Sequence, residues 1–209
     1  MAAAAEREAT SLMLVEEIAH RVLNEYTHAI ADLNLAARRV DDERTRRHLI
    51  DAADRLHAHA HAHRALAMPA GEGRCDVSDY LARVCSALGN ALLAQTVLRL
   101  KLGTFVAVLS NDRCWRLALI VSELIHNAAR HGGPDGKIIV ELSVADSQLV
   151  CCVSNAGASR SATGPGRGRR VVAALAEELE GHADWLFTPT GACAWVMVPL
   201  DGPRANDLQ

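Results

Sequence analysis

The stretch that most limits the fold is an unbroken seam of apolar residues spaced alternately four and three apart: Val15, Ala19, Val22, Tyr26, Ala29, Leu33, Ala36 and Val40. That spacing holds a single stripe along one side of an α-helix and suits near-parallel packing against other helices. Asp41 and Asp42 interrupt it. A short polar side chain before a helix accepts hydrogen bonds from the first free N–H groups, so a second helix is predicted from about Glu43. Its own alternation, Leu49, Ala53, Leu56, Ala60, His63 and Ala67, runs to Met68-Pro69, where proline disfavours helix in the residue before it. Two long helices joined by so short a turn form an antiparallel hairpin. An Ala-rich hairpin has too little apolar area to bury both faces alone. The expected solution is a homodimer whose two hairpins make a four-helix bundle, the alternative being that the hairpin packs on the rest of its own chain.

After Pro69-Ala70-Gly71-Glu72-Gly73 the periodicity changes. Asp76 is placed to cap a helix reaching about Gln95, β-rich stretches follow at Val97 to Leu102 and Phe105 to Leu109, and Asn111 is placed to cap another helix. Strands are predicted at Lys137 to Val144 and Gln148 to Ser154, a helix from about Gly168 to Leu179, and strands near Asp184 to Thr188 and Cys193 to Pro199. Helices with mostly antiparallel strands in this order make an α+β chain: a helical hairpin over residues 1–70, then a two-layer α/β sandwich over 71–209.

Bulk properties exclude several function classes. With 50% hydrophobic but only 3% aromatic residues, the cores must come from Leu, Val, Ile and Ala. A formal charge of −3, with no segment concentrating Lys and Arg, argues against nucleic acid as a partner. No run reaches the ~18 apolar residues a membrane helix needs, and the N-terminus lacks the basic start and apolar stretch of a secretory signal. The six cysteines form no C-x-x-C pair, and most sit in apolar runs. A reduced cytoplasm is the expected compartment.

Three stretches carry chemistry. In SELIHNAARHG (122–132), Glu123 and Asn127 lie one turn apart on one helix face, presenting a carboxylate and an amide oxygen to a hard cation such as Mg²⁺. Arg130 and His131, on the next turn, are within reach of phosphate; the spacing alone fits a solvated polar face equally well. VSNAGAS (153–159) follows a strand. GPGRGRR (164–170) opens a helix, and Gly166 and Gly168 there would expose backbone N–H groups to an anion. In the first helix His20 follows the seam residue Ala19, a rotation of about 100° that turns its ring off the packed stripe. Glu16 and Asn24, four residues either side, share its face. HAHAHAH (57–63) offers the i,i+4 pairs His57/His61 and His59/His63, spacing that can bind Zn²⁺ or Ni²⁺. With no acidic or cysteine ligand among them, alanines toward the core and solvated imidazoles are the plainer reading.

Together these motifs resemble those of the two-component sensor histidine kinase family. SELIHNAARHG resembles its N box, VSNAGAS the adenine-contacting G1 box, GRGRRVV the G2 box, DWLFTPTGACAWVMVP the closing strands, and EEIAHRVLNEY (16–26) the H-R-x-x-N histidine box. The resemblance spans about residues 12–200. It implies a dimerisation and phosphoacceptor hairpin followed by a Bergerat-type ATPase domain binding ATP and Mg²⁺. It further implies that His20 is the phosphoacceptor, Glu123 polarises it or helps bind Mg²⁺, and Asn127 coordinates Mg²⁺. Arg130 and His131 would touch phosphate, Asn155 and Gly157 would line the adenine pocket, and Gly166 and Gly168 would cradle the phosphates. Three positions depart from the family: Asn155 stands where Asp is usual, Ser159 replaces a glycine, and Ala192 stands where Thr or Ser is frequent. Only Ala158 to Pro165 separate the two glycine motifs, a short nucleotide lid.

A stand-alone kinase core is therefore expected, one that begins a few residues before its first bundle helix, takes input from an upstream sensor protein and passes phosphoryl to a response-regulator receiver domain. The alternatives are a histidine phosphotransferase with a degenerate ATP site, relaying phosphoryl between receivers, and a non-catalytic module that binds a regulator.

Overall fold

The structure is a computed structural model. It describes residues 2–69, 73–92, 97–103, 107–131, 136–156 and 166–200, with side chains from Glu17 onward. The chain divides into two compact units, Met1–Ala67 and Met68–Gln209.

The first unit is the hairpin α1 (Ala2–Arg39) and α2 (Glu43–Ala65). Asp42 is the N-cap of α2, its carboxylate accepting the Thr45 N–H at 2.8 Å and the Thr45 hydroxyl at 2.5 Å. The most buried residues of α1 are Ile30 and Ala37, seven apart, whereas the seam residues Val22, Ala29 and Ala36 one step away are only half-buried and Ala19 is exposed. Tyr26, Leu33 and Val40 of the seam are half-buried as well, so the hairpin buries one edge of the expected seam most deeply. Residues at 22, 29 and 36 remain as a half-buried apolar stripe beside it. In α2, Ala53, Ala60 and Ala62 are buried, while His57, His61 and His63 are exposed and His59 half-buried. The His63 ring sits against Tyr26 at 5.6 Å between centroids. Among the described residues no group of three or more His, Cys, Asp or Glu could hold a metal ion.

The second unit contains β1 (Arg74–Asp76), α3 (Val77–Leu92), β2 (Val97–Leu102), β3 (Val108–Ser110), α4 (Asn111–His131), β4 (Lys137–Ala145), β5 (Gln148–Ala156), α5 (Arg167–Glu178), β6 (His182–Thr188) and β7 (Gly191–Pro199). The main sheet has the order β2-β4-β5-β7-β6, parallel between β2 and β4 and antiparallel elsewhere. β1 and β3 form a separate antiparallel pair, and β1 escapes a periodicity reading because three residues show no period. Asp76 caps α3, its Oδ1 accepting the Ser78 and Asp79 N–H groups at 2.8 and 3.1 Å. At α4 the capping acceptor is the Ser110 hydroxyl, taking the Arg113 N–H at 3.5 Å, one residue before the Asn111 expected from sequence.

Strand alternation divides the sheet into two faces. Leu149, Cys151, Val153 and Asn155 of β5, with Val196 and Val198 of β7, are buried beneath the helices. Val150, Cys152, Ser154, Cys193, Trp195 and Met197 alternate with them on the other face and are half-buried. Leu117, Ile120, Val121 and Ile125 of α4 are fully buried, at about 1.5–3 kcal/mol for each large side chain. Arg113 binds this core together: its guanidinium donates to the carbonyls of Pro199 at 2.7 Å and Leu179 at 3.3 Å, joining the start of α4 to the ends of β7 and α5. Among the described residues no helix is long and apolar enough to cross a membrane.

Candidate functional site

The polar stripe of α4 opens into a cleft between the end of α4, the start of α5 and strands β5, β6 and β7. Its empty space, open solvent at the mouth included, is about 920 Å³. Asn127 Nδ2 donates to Glu123 Oε1 at 3.0 Å. That bond spends the amide's donor and leaves Asn127 Oδ1 and Glu123 Oε2 as oxygen acceptors in a cleft that both residues line. Two hard oxygens side by side suit Mg²⁺, which takes one or two protein oxygens and completes its shell with water and phosphate. The other imidazole of this helix, His126, bonds its own preceding turn, with Nδ1 2.8 Å from the Ser122 carbonyl, and does not line the cleft.

Facing this pair is Gly168, in the first turn of α5. A Cβ added there would collide with Glu123 Oε1 and stand 3.1 Å from Asn127 Nδ2. Glycine leaves room for the pair as it stands; a methyl there would push the Glu123 carboxylate aside. Gly166 is the N-cap of α5 in extended conformation, and among the described residues no side chain caps that helix. Its first N–H groups are therefore unspent donors at the positive end of the helix dipole. Arg130, His131, Arg167 and Arg169 line the same cleft, against the single carboxylate of Glu123. The balance favours a polyanion.

At the sheet end, Asn155 is 8% exposed and its Nδ2 donates to the Ala128 carbonyl at 3.4 Å. Ala128 lies in the last turn of α4, where the carbonyls have no intrahelical partner. The side chain thus caps α4 with one N–H and keeps Oδ1 as an acceptor, in a residue that lines the cleft. The cleft also contains Trp185 and Phe187, on the helix face of β6, and the Arg169 guanidinium lies 4.7 Å from the Phe187 ring centroid, a cation–π contact. Sequence reasoning missed these two aromatics and Arg167 and Arg169. The signal was present: Trp185 and Phe187 are two apart on a strand, and Arg167 and Arg169 flank Gly168.

The comparisons with known proteins agree with this geometry. A histidine kinase family model matches residues 17–92, and a histidine kinase-like ATPase domain model matches residues 90–196. The sensor histidine kinase PdtaS of Mycolicibacterium smegmatis is 31% identical over 117 residues, 56% of this chain and 23% of that protein. Its counterpart in Mycobacterium tuberculosis is 29% identical over the same length. The chain therefore spans 23% of the length of these curated relatives. Among solved structures, the histidine kinase domain of the Erythrobacter litoralis EL346 blue-light activated kinase is similar at a TM-score of 0.58, 20% identity, 85% of this chain and 94% of that one. A bacterial phosphotransferase is similar at 0.62, 14% identity, 90% of this chain and 96% of that one. At these identities the structures speak for the fold alone. The chain belongs to the histidine kinase family.

Of the family positions named from sequence, Glu123, Asn127, Arg130, His131, Asn155, Gly166 and Gly168 all line the one cleft. Gly157 and the short lid Ala158 to Pro165 lie outside the described residues. His20, the histidine-box residue, is exposed on α1, as are Asn24 and His28. The side chain of Glu16 is outside the description, while its neighbour Glu17 pairs with Arg21 at 2.8 Å. His20 is thus free of packing among the described residues.

Proposed function

We propose that this chain is a histidine kinase core, with residues 1–70 as dimerisation and phosphoacceptor hairpin and residues 71–209 as ATP-binding domain, working in the cytoplasm under an upstream sensor protein. The observation that carries this reading is the convergence on one cleft of a carboxylate–amide pair, unspent helix N–H donors, three arginines and a buried amide.

Bound Mg²⁺ would supply charge neutralisation between the phosphates. Asn127 Oδ1 and Glu123 Oε2 would hold it; Arg130, His131 and the N–H groups from Gly166 to Gly168 would hold the phosphate oxygens; Asn155 Oδ1 would accept the adenine amino group. An imidazole nitrogen of His20 then attacks the γ-phosphorus in line, the bond to the bridging oxygen breaks, and ADP leaves. Positioning and charge stabilisation provide most of the rate in such a transfer. The phosphoryl group passes on to an aspartate of a response-regulator receiver domain. The half-buried stripe at Val22, Ala29 and Ala36 supports a homodimer through the hairpins.

One observation favours the second reading, a histidine phosphotransferase. Asn155 offers adenine a neutral acceptor where a carboxylate would bind about twice as strongly, and the likeness to a bacterial phosphotransferase fits the same architecture. Incubation with γ-labelled ATP and Mg²⁺ separates the readings. Acid-labile, alkali-stable label that disappears in both His20→Ala and Asn127→Ala supports the kinase. Label accepted only from a phosphorylated receiver, and lost in His20→Ala alone, replaces it with the phosphotransferase. No label by either route leaves a regulator-binding module.

A further inference from the structure

The face of the sheet turned away from the helices holds two thiols in contact. Cys152 of β5 lies opposite Trp195, and Cys193 of β7 opposite Ser154, so the two cysteines are diagonal neighbours on one face of an antiparallel pair. Their Sγ atoms are 2.9 Å apart. Both are half-buried free thiols, whereas Cys85, Cys114 and Cys151 are buried. Cys151, although adjacent in sequence, points to the helix face. A surface depression on the thiol-bearing face, lined by Ile139, Ser154, Leu186, Thr188 and Cys193, gives a small solute access to Cys193.

We propose that Cys152 and Cys193 form a dithiol that peroxides oxidise to an intrachain disulfide across β5 and β7. Burial and the neighbouring sulfur push the Cys152 thiol up to about 12, so it keeps its proton at neutral pH. Cys193, which lines that depression, is the attacking sulfur. Its thiolate bonds to one peroxide oxygen, the O–O bond breaks, hydroxide leaves, and Cys193 becomes a sulfenic acid. The Cys152 sulfur then bonds to the Cys193 sulfur, the S–O bond breaks, and water leaves carrying the Cys152 proton. In sum, two thiols and one hydrogen peroxide give one disulfide and two waters, two electrons passing from sulfur to oxygen. In the reduced cytoplasm such a bond is of the transient, redox-sensing kind. The strands it joins carry Asn155 and Ala194 to the cleft on their other face, which puts the cross-link directly behind the nucleotide site. The chemistry itself does not depend on the kinase reading.

The test is mass spectrometry of the full chain after stoichiometric hydrogen peroxide. The expected result is a mass lower by two hydrogens, a proteolytic peptide pair joined at Cys152 and Cys193, and full reversal by dithiothreitol. In Cys152→Ser the hydrogen loss disappears and a dimedone adduct appears on Cys193 instead. A cross-link at another cysteine pair, a disulfide only between chains, or a two-hydrogen loss that persists in Cys193→Ser overturns the proposal.

Discussion

The two units bury their apolar residues to different depths. Among the described residues of the hairpin, the buried hydrophobic ones are Ile30 and four alanines, Ala37, Ala53, Ala60 and Ala62, while Ile18, Leu35 and Ile50 remain 60%, 46% and 41% exposed. In the α/β unit, Leu81, Leu88, Leu117, Ile120, Ile125, Leu142 and Leu149 are sealed. At about 0.8 kcal/mol per buried CH₂ an alanine contributes little, so the hairpin's interior is weak and its remaining apolar surface needs a partner. The α/β unit also leaves Val97, Val171, Leu186 and Phe187 exposed, but it seals a core of large side chains within one chain. The unit with the completed core holds the prearranged cleft, and the unit with the incomplete one carries the exposed histidine.

The sharpest way to break that contrast is dilution. A bundle made by two chains loses about 1.4 kcal/mol of stability per tenfold dilution, or about 4 kcal/mol over three decades, while the α/β unit loses none. Thermal unfolding followed by circular dichroism over that range should show one transition moving with concentration and one fixed. A single transition, independent of concentration, would mean the hairpin is already satisfied within its own chain.

The cleft side of the comparison is sharpened by Gly168→Ala. The new methyl has no room between the α5 backbone and the Glu123–Asn127 pair. Overpacking of this kind costs about 1–3 kcal/mol, and because the displaced groups are the cleft's own, about 2 kcal/mol, or roughly thirtyfold, should appear as weaker nucleotide binding. Isothermal titration of Mg²⁺·ATP analogues reads it directly. Unchanged affinity would detach Gly168 from the site.

A smaller effect is expected from Asn155→Asp, although that change restores the usual family residue. The carboxylate would face the Ala128 carbonyl at the negative end of α4 with no proton to donate, costing about 1–2 kcal/mol of stability at neutral pH. The sign against pH follows. The introduced carboxyl has a folded pKa above its unfolded one, so stability is highest below the unfolded value and falls as pH rises through the folded one. Protonated, it can donate to Ala128 as the amide does. Denaturant titrations of variant and parent should converge toward acid pH; curves that stay parallel would show that the Ala128 bond carries no weight.

What could be read in the sequence follows the same division between periodic and non-periodic signals. Helix and strand spans were legible because periods of 3.6 and 2 persist over many residues, as in α4 and β4. The cleft residues of α4 and the two glycines at the α5 start were legible because their motifs are local. Which edge of the α1 seam is buried deepest was not, since positions 22, 29 and 36 and positions 30 and 37 are both apolar and only packing selects between them. Nor was the tie from Asn155 to Ala128, or the meeting of Cys152 with Cys193, because each joins residues far apart in sequence through a strand register that periodicity leaves open.

The smallest predicted effect lies at the hairpin turn, where Asp42 is fully solvated. The Thr45 hydroxyl and N–H donate to its carboxylate and hold it below the usual carboxylate range. A depressed folded pKa gives stability that is present above the unfolded value and lost as pH falls through the folded one. Asp42→Asn keeps an acceptor for the Thr45 N–H, since asparagine caps helices as well as aspartate, but removes the titration. The concentration-dependent transition of the parent should therefore weaken on acidification more steeply than that of Asp42→Asn, with the fixed transition indifferent to the change. Because α2 packs only on α1 within its unit, a cap this exposed can register only where the core is as thin as the hairpin's. If the fixed transition moved instead, stability would be shared between the units and the contrast between them would fail.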